Sequence, residues 1–95
     1  MNVKKIKEVA APILRRHGVA KAFVFGSYAR GEENEKSDVD LLIEYPSGSR
    51  KTLFDLAGLK DELEEALQKK VDLVTEKALS PFIKSAVLKE KQVIL

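Results

Sequence analysis

The sequence predicts an α/β domain, a small mixed β-sheet flanked by helices, with elements in the order α-β-β-α-β-α. Three observations carry this expectation. Apolar residues recur at helical spacing near the N-terminus and again through LFDLAGLKDELEEALQ. Short apolar runs, AFVF, VDLLIEY and VDLV, have the length of buried strands. Turn or cap chemistry stands between these segments, which suits a layered domain built around one sheet.

The first helix follows from Val3, Ile6, Val9, Ala10, Ile13 and Leu14, with Pro12 expected to interrupt or kink it. Gly18 is the expected C-terminal cap, with Arg15, Arg16 and His17 in the last turn, where cations suit the helix dipole. AFVF forms the first strand, YARG a single helical turn, and SDVDLLIEY the second strand. PSGSRK is a turn. Thr52 and Asp55 then resemble a capping box for a helix whose Leu53, Leu56, Leu59, Leu63 and Leu67 line one face. KKVDLVT is the third strand. Ser80-Pro81 has the form of an N-cap followed by proline at the first helical position and starts FIKSAVLKE. QVIL is a short closing strand.

Length and composition narrow the function classes. A chain of 95 residues forms one domain, residues 1–95, with a single core and no separate lid or substrate domain. Its 44% apolar and 34% charged content is globular. A net charge of +2 does not suggest bulk nucleic-acid or membrane binding. The absence of cysteine excludes disulfides and thiolate metal sites. No apolar run is long enough to span a bilayer and MNVKKIKEVA lacks a signal-peptide core, so the cytoplasm is the expected location.

The chemistry concentrates in FGSYARGEENEKSDVDLLIEY, residues 25–45. Strand side chains alternate faces, so Asp38 and Asp40 share one face while Val39, Leu41 and Ile43 point into a core. Two like charges side by side raise each other's pKa unless a cation lies between them. Mg²⁺ takes oxygen ligands and often uses one or two carboxylates plus substrate phosphates. Asp72 interrupts the apolar run VDLV and faces away from Val71 and Leu73. If the second and third strands are neighbours, it joins Asp38 and Asp40. Three carboxylates can hold two divalent ions that clamp an in-line phosphoryl displacement. Gly26-Ser27 ends the first strand, where backbone N–H groups and the Ser27 hydroxyl can meet a phosphate. Arg30 adds positive charge or packs structurally.

Two other motif readings fail on named residues. GSYARGE has the glycine spacing of a Walker A loop, but Glu32 stands where lysine is required. An EF-hand needs further polar ligands and a glycine after its first D-x-D, where Leu41 and Leu42 stand instead. A bare D-x-D pair can also be a polar start to a strand. The glycine-serine turn upstream and Asp72 downstream favour the functional reading.

These residues carry a resemblance. GSYARG followed by SDVDL resembles the GSxARG…SDxDL signature of the DNA polymerase β-like nucleotidyltransferase superfamily. Over nearly its whole length, including TLFDLAGLK and KKVDLVTEKAL, the chain is similar to the minimal nucleotidyltransferases (MNT), the antitoxin-type proteins paired with HEPN partners. The resemblance implies a polymerase β palm-like fold and a nucleoside triphosphate substrate, with ATP expected. It implies Mg²⁺, two ions, held by Asp38, Asp40 and Asp72. It further implies nucleotide contacts from Gly26 and Ser27, with Arg30 and Ser37 also matching the signature. At this length, no template- or acceptor-binding domain of the kind larger relatives carry is expected. The acceptor therefore binds this domain directly or is a partner, with transfer of AMP to a tyrosine of a HEPN protein the expectation.

Simpler readings suit the remaining residues. His17 is a solvated helix-end residue, and Arg50 and Lys51 lie in a loop. Tyr28 either stacks on a base or packs. Glu65 and Lys69 form an i,i+4 pair on a solvent face. Leu79, Phe82, Ile83, Ala86 and Val87 are expected in the core. Glu32, Glu33 and Glu35 make the loop before Ser37 acidic, which argues against nucleic acid there. An exposed apolar strip on the third or last helix would serve a homo-oligomer or a HEPN partner. Two function classes remain: an enzyme transferring a nucleoside monophosphate, and a non-catalytic antitoxin that neutralises its partner by occlusion.

Overall fold

The computed structural model describes residues 1–95. Helix α1 (Val3–Arg16) leads into strand β1 (Lys21–Phe25), the short helix α2 (Gly26–Arg30) and strand β2 (Val39–Glu44). Helix α3 (Leu53–Leu67), strand β3 (Val71–Thr75), a 3-10 turn (Glu76–Ala78), helix α4 (Pro81–Glu90) and strand β4 (Gln92–Val93) follow. The strands form one mixed sheet in the order β3-β2-β1-β4, with β2 and β3 parallel and the other pairings antiparallel.

Local chemistry sets the element ends. The Asn2 side chain caps α1 by accepting the Lys5 N–H at 2.9 Å. Pro12 does not break α1; the helix continues to Arg16. The hydrogen bond it removes would have ended on the carbonyl of Glu8, an exposed residue, where water can replace the donor. Gly18, at φ 76°, closes α1 in a Schellman motif: its N–H donates to the Arg15 carbonyl (3.0 Å), and the Val19 N–H donates to the Leu14 carbonyl (3.0 Å). Thr52 and Asp55 form the expected capping box. Asp55 N–H donates to Thr52 Oγ1 (3.3 Å), and Thr52 N–H donates to Asp55 Oδ2 (2.7 Å). The hydrogen bonds the Asp55 carboxyl accepts from the Thr52 N–H and then the Thr52 hydroxyl hold it below its usual pKa. Ser80 caps α4 by accepting the Phe82 N–H.

The sheet has two unequal apolar faces. On one, Val39, Leu41, Ile43, Val24 and Val71 pack against Ile6 and Leu14 of α1 and Leu59, Leu63 and Leu67 of α3. On the other, Phe23, Phe25 and Leu42 meet Leu79 and Val87. α4 covers this second face thinly, since Val87 is its one buried residue. Phe82, Ile83 and Ala86 are therefore exposed rather than core, Phe82 at 96%. Leu53 is likewise exposed at the start of α3, where the helix projects beyond the sheet-facing stripe of Leu59, Leu63 and Leu67. Lys69 does not pair with Glu65; its ammonium donates to the Glu35 carbonyl at 2.7 Å and pins the acidic loop to the end of α3. His17 is partly buried, and its Nε2 lies 2.9 Å from Glu62 Oε1. No helix is long and apolar enough to cross a membrane.

Candidate active site

The site forms where β1 ends and β2 and β3 begin. Antiparallel pairing sets Phe25 opposite Asp40, and parallel pairing sets Asp40 opposite Asp72. Val39 N–H donates to the Lys70 carbonyl (2.9 Å), in keeping with this register, and Val71 N–H donates to Glu64 Oε2 (2.9 Å), which ties the start of β3 to α3. Because side chains alternate, Asp40 and Asp72 lie on the face opposite Val39, Leu41 and Val71. Asp38 lies one step before β2, exposed, and Asp72 is exposed on the edge strand.

Asp40 occupies the most constrained position. It is half-buried beneath the α2 turn. Burial pushes its carboxyl up to about 6, and the like charges of Asp72 and Asp38 push the same way. Arg30 opposes the shift but does not cancel it. A half-buried carboxylate facing two others without a compensating cation is an electrostatic deficit that a divalent ion relieves. No three carboxylates converge closely enough to cage an ion by themselves. Mg²⁺ keeps waters and shares its coordination with phosphate oxygens, so it can be held by one or two carboxylates. The all-oxygen donor set fits the same choice.

Gly26 makes the close packing of the turn and Asp40 feasible. Its φ is 72°, in the left-handed region. A Cβ added there would overlap Asp40 Oδ2 and stand 3.1 Å from Asp40 Cγ. Glycine thus allows the chain to turn directly over the carboxylate. α2 ends at Gly31, also at φ 72°, with Glu32 N–H donating to the Ser27 carbonyl at 2.9 Å. Ser27 is partly exposed on this turn.

The other sequence-derived positions have more local surroundings. Arg30 is exposed and paired at both edges: Nε donates to Glu32 Oε1 (3.0 Å) and Nη1 to Glu90 Oε2 (2.9 Å). Ser37 structures the acidic loop, its hydroxyl accepting the Asn34 N–H at 2.9 Å. Tyr28 is buried in the main core, so it packs rather than presenting its ring to a base. Lys51 lies 5.8 Å from the Tyr45 ring centroid, at the opposite end of β2 from the aspartates.

Nothing in the sequence points to Glu90 as part of the site. Its carboxylate accepts the Gly26 N–H (3.0 Å) as well as Arg30. LKEKQ at the end of a helix reads as a solvated charge run, and no spacing rule links it to a turn 64 residues earlier.

A family model described as "Nucleotidyltransferase domain" matches residues 5–94. A Methanocaldococcus jannaschii protein provisionally named a protein adenylyltransferase is 49% identical over 90 residues, covering 95% of both chains. A solved structure of a provisionally assigned minimal nucleotidyltransferase superposes with a TM-score of 0.80 at 40% identity, covering 97% of this chain and 95% of that one. A more distant fold neighbour, at 19% identity, has a TM-score of 0.74 and covers 97% of this chain and 71% of its own. It comes from a Shewanella oneidensis complex of a tri-AMPylated HEPN toxin with an MNT antitoxin.

Proposed function

This chain belongs to the nucleotidyltransferase domain family, and on that premise we propose that it transfers AMP from ATP to a hydroxyl on a partner protein, a tyrosine of a HEPN-family toxin, and thereby acts as its antitoxin. The observation that carries the reading is the Asp40–Asp72 register beneath the Gly26 turn, with Asp38 beside it. The name of the Methanocaldococcus jannaschii relative supports protein adenylylation, and the Shewanella oneidensis complex supports the class of partner.

In this reading Gly26 and Ser27 hold the triphosphate against the end of β1, beside Arg30, whose guanidinium is shared between Glu32 and Glu90. Asp38, Asp40 and Asp72 would hold Mg²⁺, two ions, which supply charge neutralisation and a more acidic acceptor hydroxyl. Asp72, exposed on the edge strand, is the carboxylate that an acceptor arriving from solvent reaches. The acceptor oxygen forms a bond to the α-phosphorus as the bond from that phosphorus to the bridging oxygen breaks. Pyrophosphate leaves, and the hydroxyl proton passes to a site carboxylate. The exposed acidic loop of Glu32 and Glu35 repels nucleic acid from this edge.

A second reading is neutralisation by occlusion. It draws on the exposed aromatic residues Phe54 (89%) and Phe82 (96%), which offer apolar contact to a partner without any chemistry. One experiment separates the two. The chain is mixed with α-labelled ATP, Mg²⁺ and a HEPN-family protein as candidate acceptor. Transfer predicts label on the partner with the wild type and none with Asp38→Asn. Occlusion predicts no label and full neutralisation by both.

A further inference from the structure

Resting on the reading of Gly26 and Arg30 as phosphate-facing groups, we infer that Glu90 is a positioning residue of the nucleotide site, bracing both ends of the Gly26–Arg30 turn with one carboxylate. Oε1 accepts the Gly26 N–H at 3.0 Å, and Oε2 accepts from Arg30 Nη1 at 2.9 Å. Gly26 opens the five-residue helix α2 and Arg30 closes it. A helix this short has little stability of its own, because nucleation fixes several residues for few hydrogen bonds. An outside carboxylate spanning its length supplies what its own ladder lacks.

The segment that carries the brace is tied both to α2 and to β1. Gln92 Nε2 donates to the Ala29 carbonyl at 2.7 Å, attaching the same C-terminal segment to the middle of α2. β4 pairs with β1, setting Gln92 opposite Val24 and Val93 opposite Phe23. Ile94 is fully buried, and its N–H donates to the Ala22 carbonyl at 3.0 Å. Glu90 therefore approaches the turn from a fixed strap.

Two consequences for the site follow. Gly26 sits so tightly over Asp40 that no Cβ fits between them, so a loosened Gly26 loosens the relation of turn to carboxylate. Arg30 is held at a defined place by Glu90 on one edge and Glu32 on the other. The Glu90 side chain is 20% exposed and faces these two donors.

The test uses the full chain with Mg²⁺–ATP as probe, read by calorimetry well below the melting temperature, after circular dichroism has verified each fold. Glu90→Ala removes both acceptors. Glu90→Gln keeps an oxygen for the Gly26 N–H and the length to reach it, but turns a donor NH₂ toward Arg30, so one of the two contacts survives. Glu90→Asp keeps the charge but is one methylene short. Bracing predicts about tenfold weaker binding for Ala and Asp and recovery to within about threefold for Gln. If Ala does not fold, the Asp and Gln pair carries the same contrast. Equal affinity in all variants overturns the inference. Tighter binding in Gln and Ala also overturns it, by showing that Glu90 competes with phosphate. A wild type that does not bind Mg²⁺–ATP overturns the reading of the site itself, and the role of Glu90 with it. A wild type that binds, matched by every variant, overturns only the brace.

Discussion

Gly26→Ala and Gly31→Ala form a matched pair that isolates the contact between the α2 turn and Asp40. Both glycines have φ 72°, where an alanine costs about 1–2 kcal/mol. For a domain of this size that is roughly 4–8 °C of melting temperature per kcal/mol. The two positions differ in what a methyl group meets. At Gly31 nothing lies within 4 Å, whereas at Gly26 the methyl overlaps Asp40 Oδ2 and crowds Cγ at 3.1 Å. The carboxylate is the flexible end of its side chain, so it swings aside rather than unfolding the strand. Displacement of a catalytic group by about 1 Å costs on the order of 10²-fold in rate. Thermal melts should therefore show similar losses for the two variants. Transfer of AMP should fall about a hundredfold for Gly26→Ala and stay near wild type for Gly31→Ala. Wild-type transfer by Gly26→Ala, with its melting temperature lowered as expected, would refute the placement of Asp40 in the chemistry.

Other expectations follow from the same geometry. Asp40 must be ionised to hold a cation, and its carboxyl is pushed up to about 6. Mg²⁺–ATP affinity, measured by calorimetry, should thus weaken by up to about tenfold for each pH unit below that value. The raised pKa also means that Asp40's favourable contribution to stability is complete below its unfolded value and disappears as pH rises through about 6. Asp40→Asn should therefore melt higher than wild type at pH 8 while losing transfer activity. Glu62 is the opposite case, pulled down to about 2 by hydrogen bonds from Arg16 and then His17. The stability it contributes is present above its usual value of 4.5 and lost as pH falls toward 2. The melting-temperature gap between wild type and Glu62→Gln should close over that window. Leu63→Ala, at a fully buried position between α3 and the sheet, should cost about 2–5 kcal/mol in urea unfolding.

The parts of the site legible in the sequence were those set by strand periodicity. Alternation sets Asp40 on the face opposite Val39 and Leu41, because side chains in a strand have a period of two, whereas β2 begins only at Val39 and alternation does not extend to Asp38. Asp72 stood out as a charge inside VDLV, and the parallel β2–β3 pairing places it opposite Asp40. Gly26 was legible as a glycine ending an apolar run, although its contact with Asp40 was not. Helical periodicity was a weaker guide, since it identifies an apolar face without showing whether another element covers it. Leu59, Leu63 and Leu67 are covered, but Leu53, Phe82 and Ile83 are not. Pairings between helix-end charges and distant segments leave no local pattern at all. Glu90 with Gly26, His17 with Glu62 and Lys69 with the Glu35 carbonyl all depend on how elements dock. Tyr28 lay inside a polar turn and reads as available to a ligand, yet the turn folds its ring into the core.

The most direct test of the proposal is intact-mass spectrometry of a HEPN-family candidate partner after incubation with this chain, ATP and Mg²⁺. The account predicts a partner heavier by whole AMP units with wild-type protein, and an unmodified partner with Asp40→Asn or Asp72→Asn, both still folded. An AMP adduct of undiminished yield with either variant would contradict the claim that the paired aspartates of β2 and β3 carry the reaction. So would an unmodified partner with the wild type.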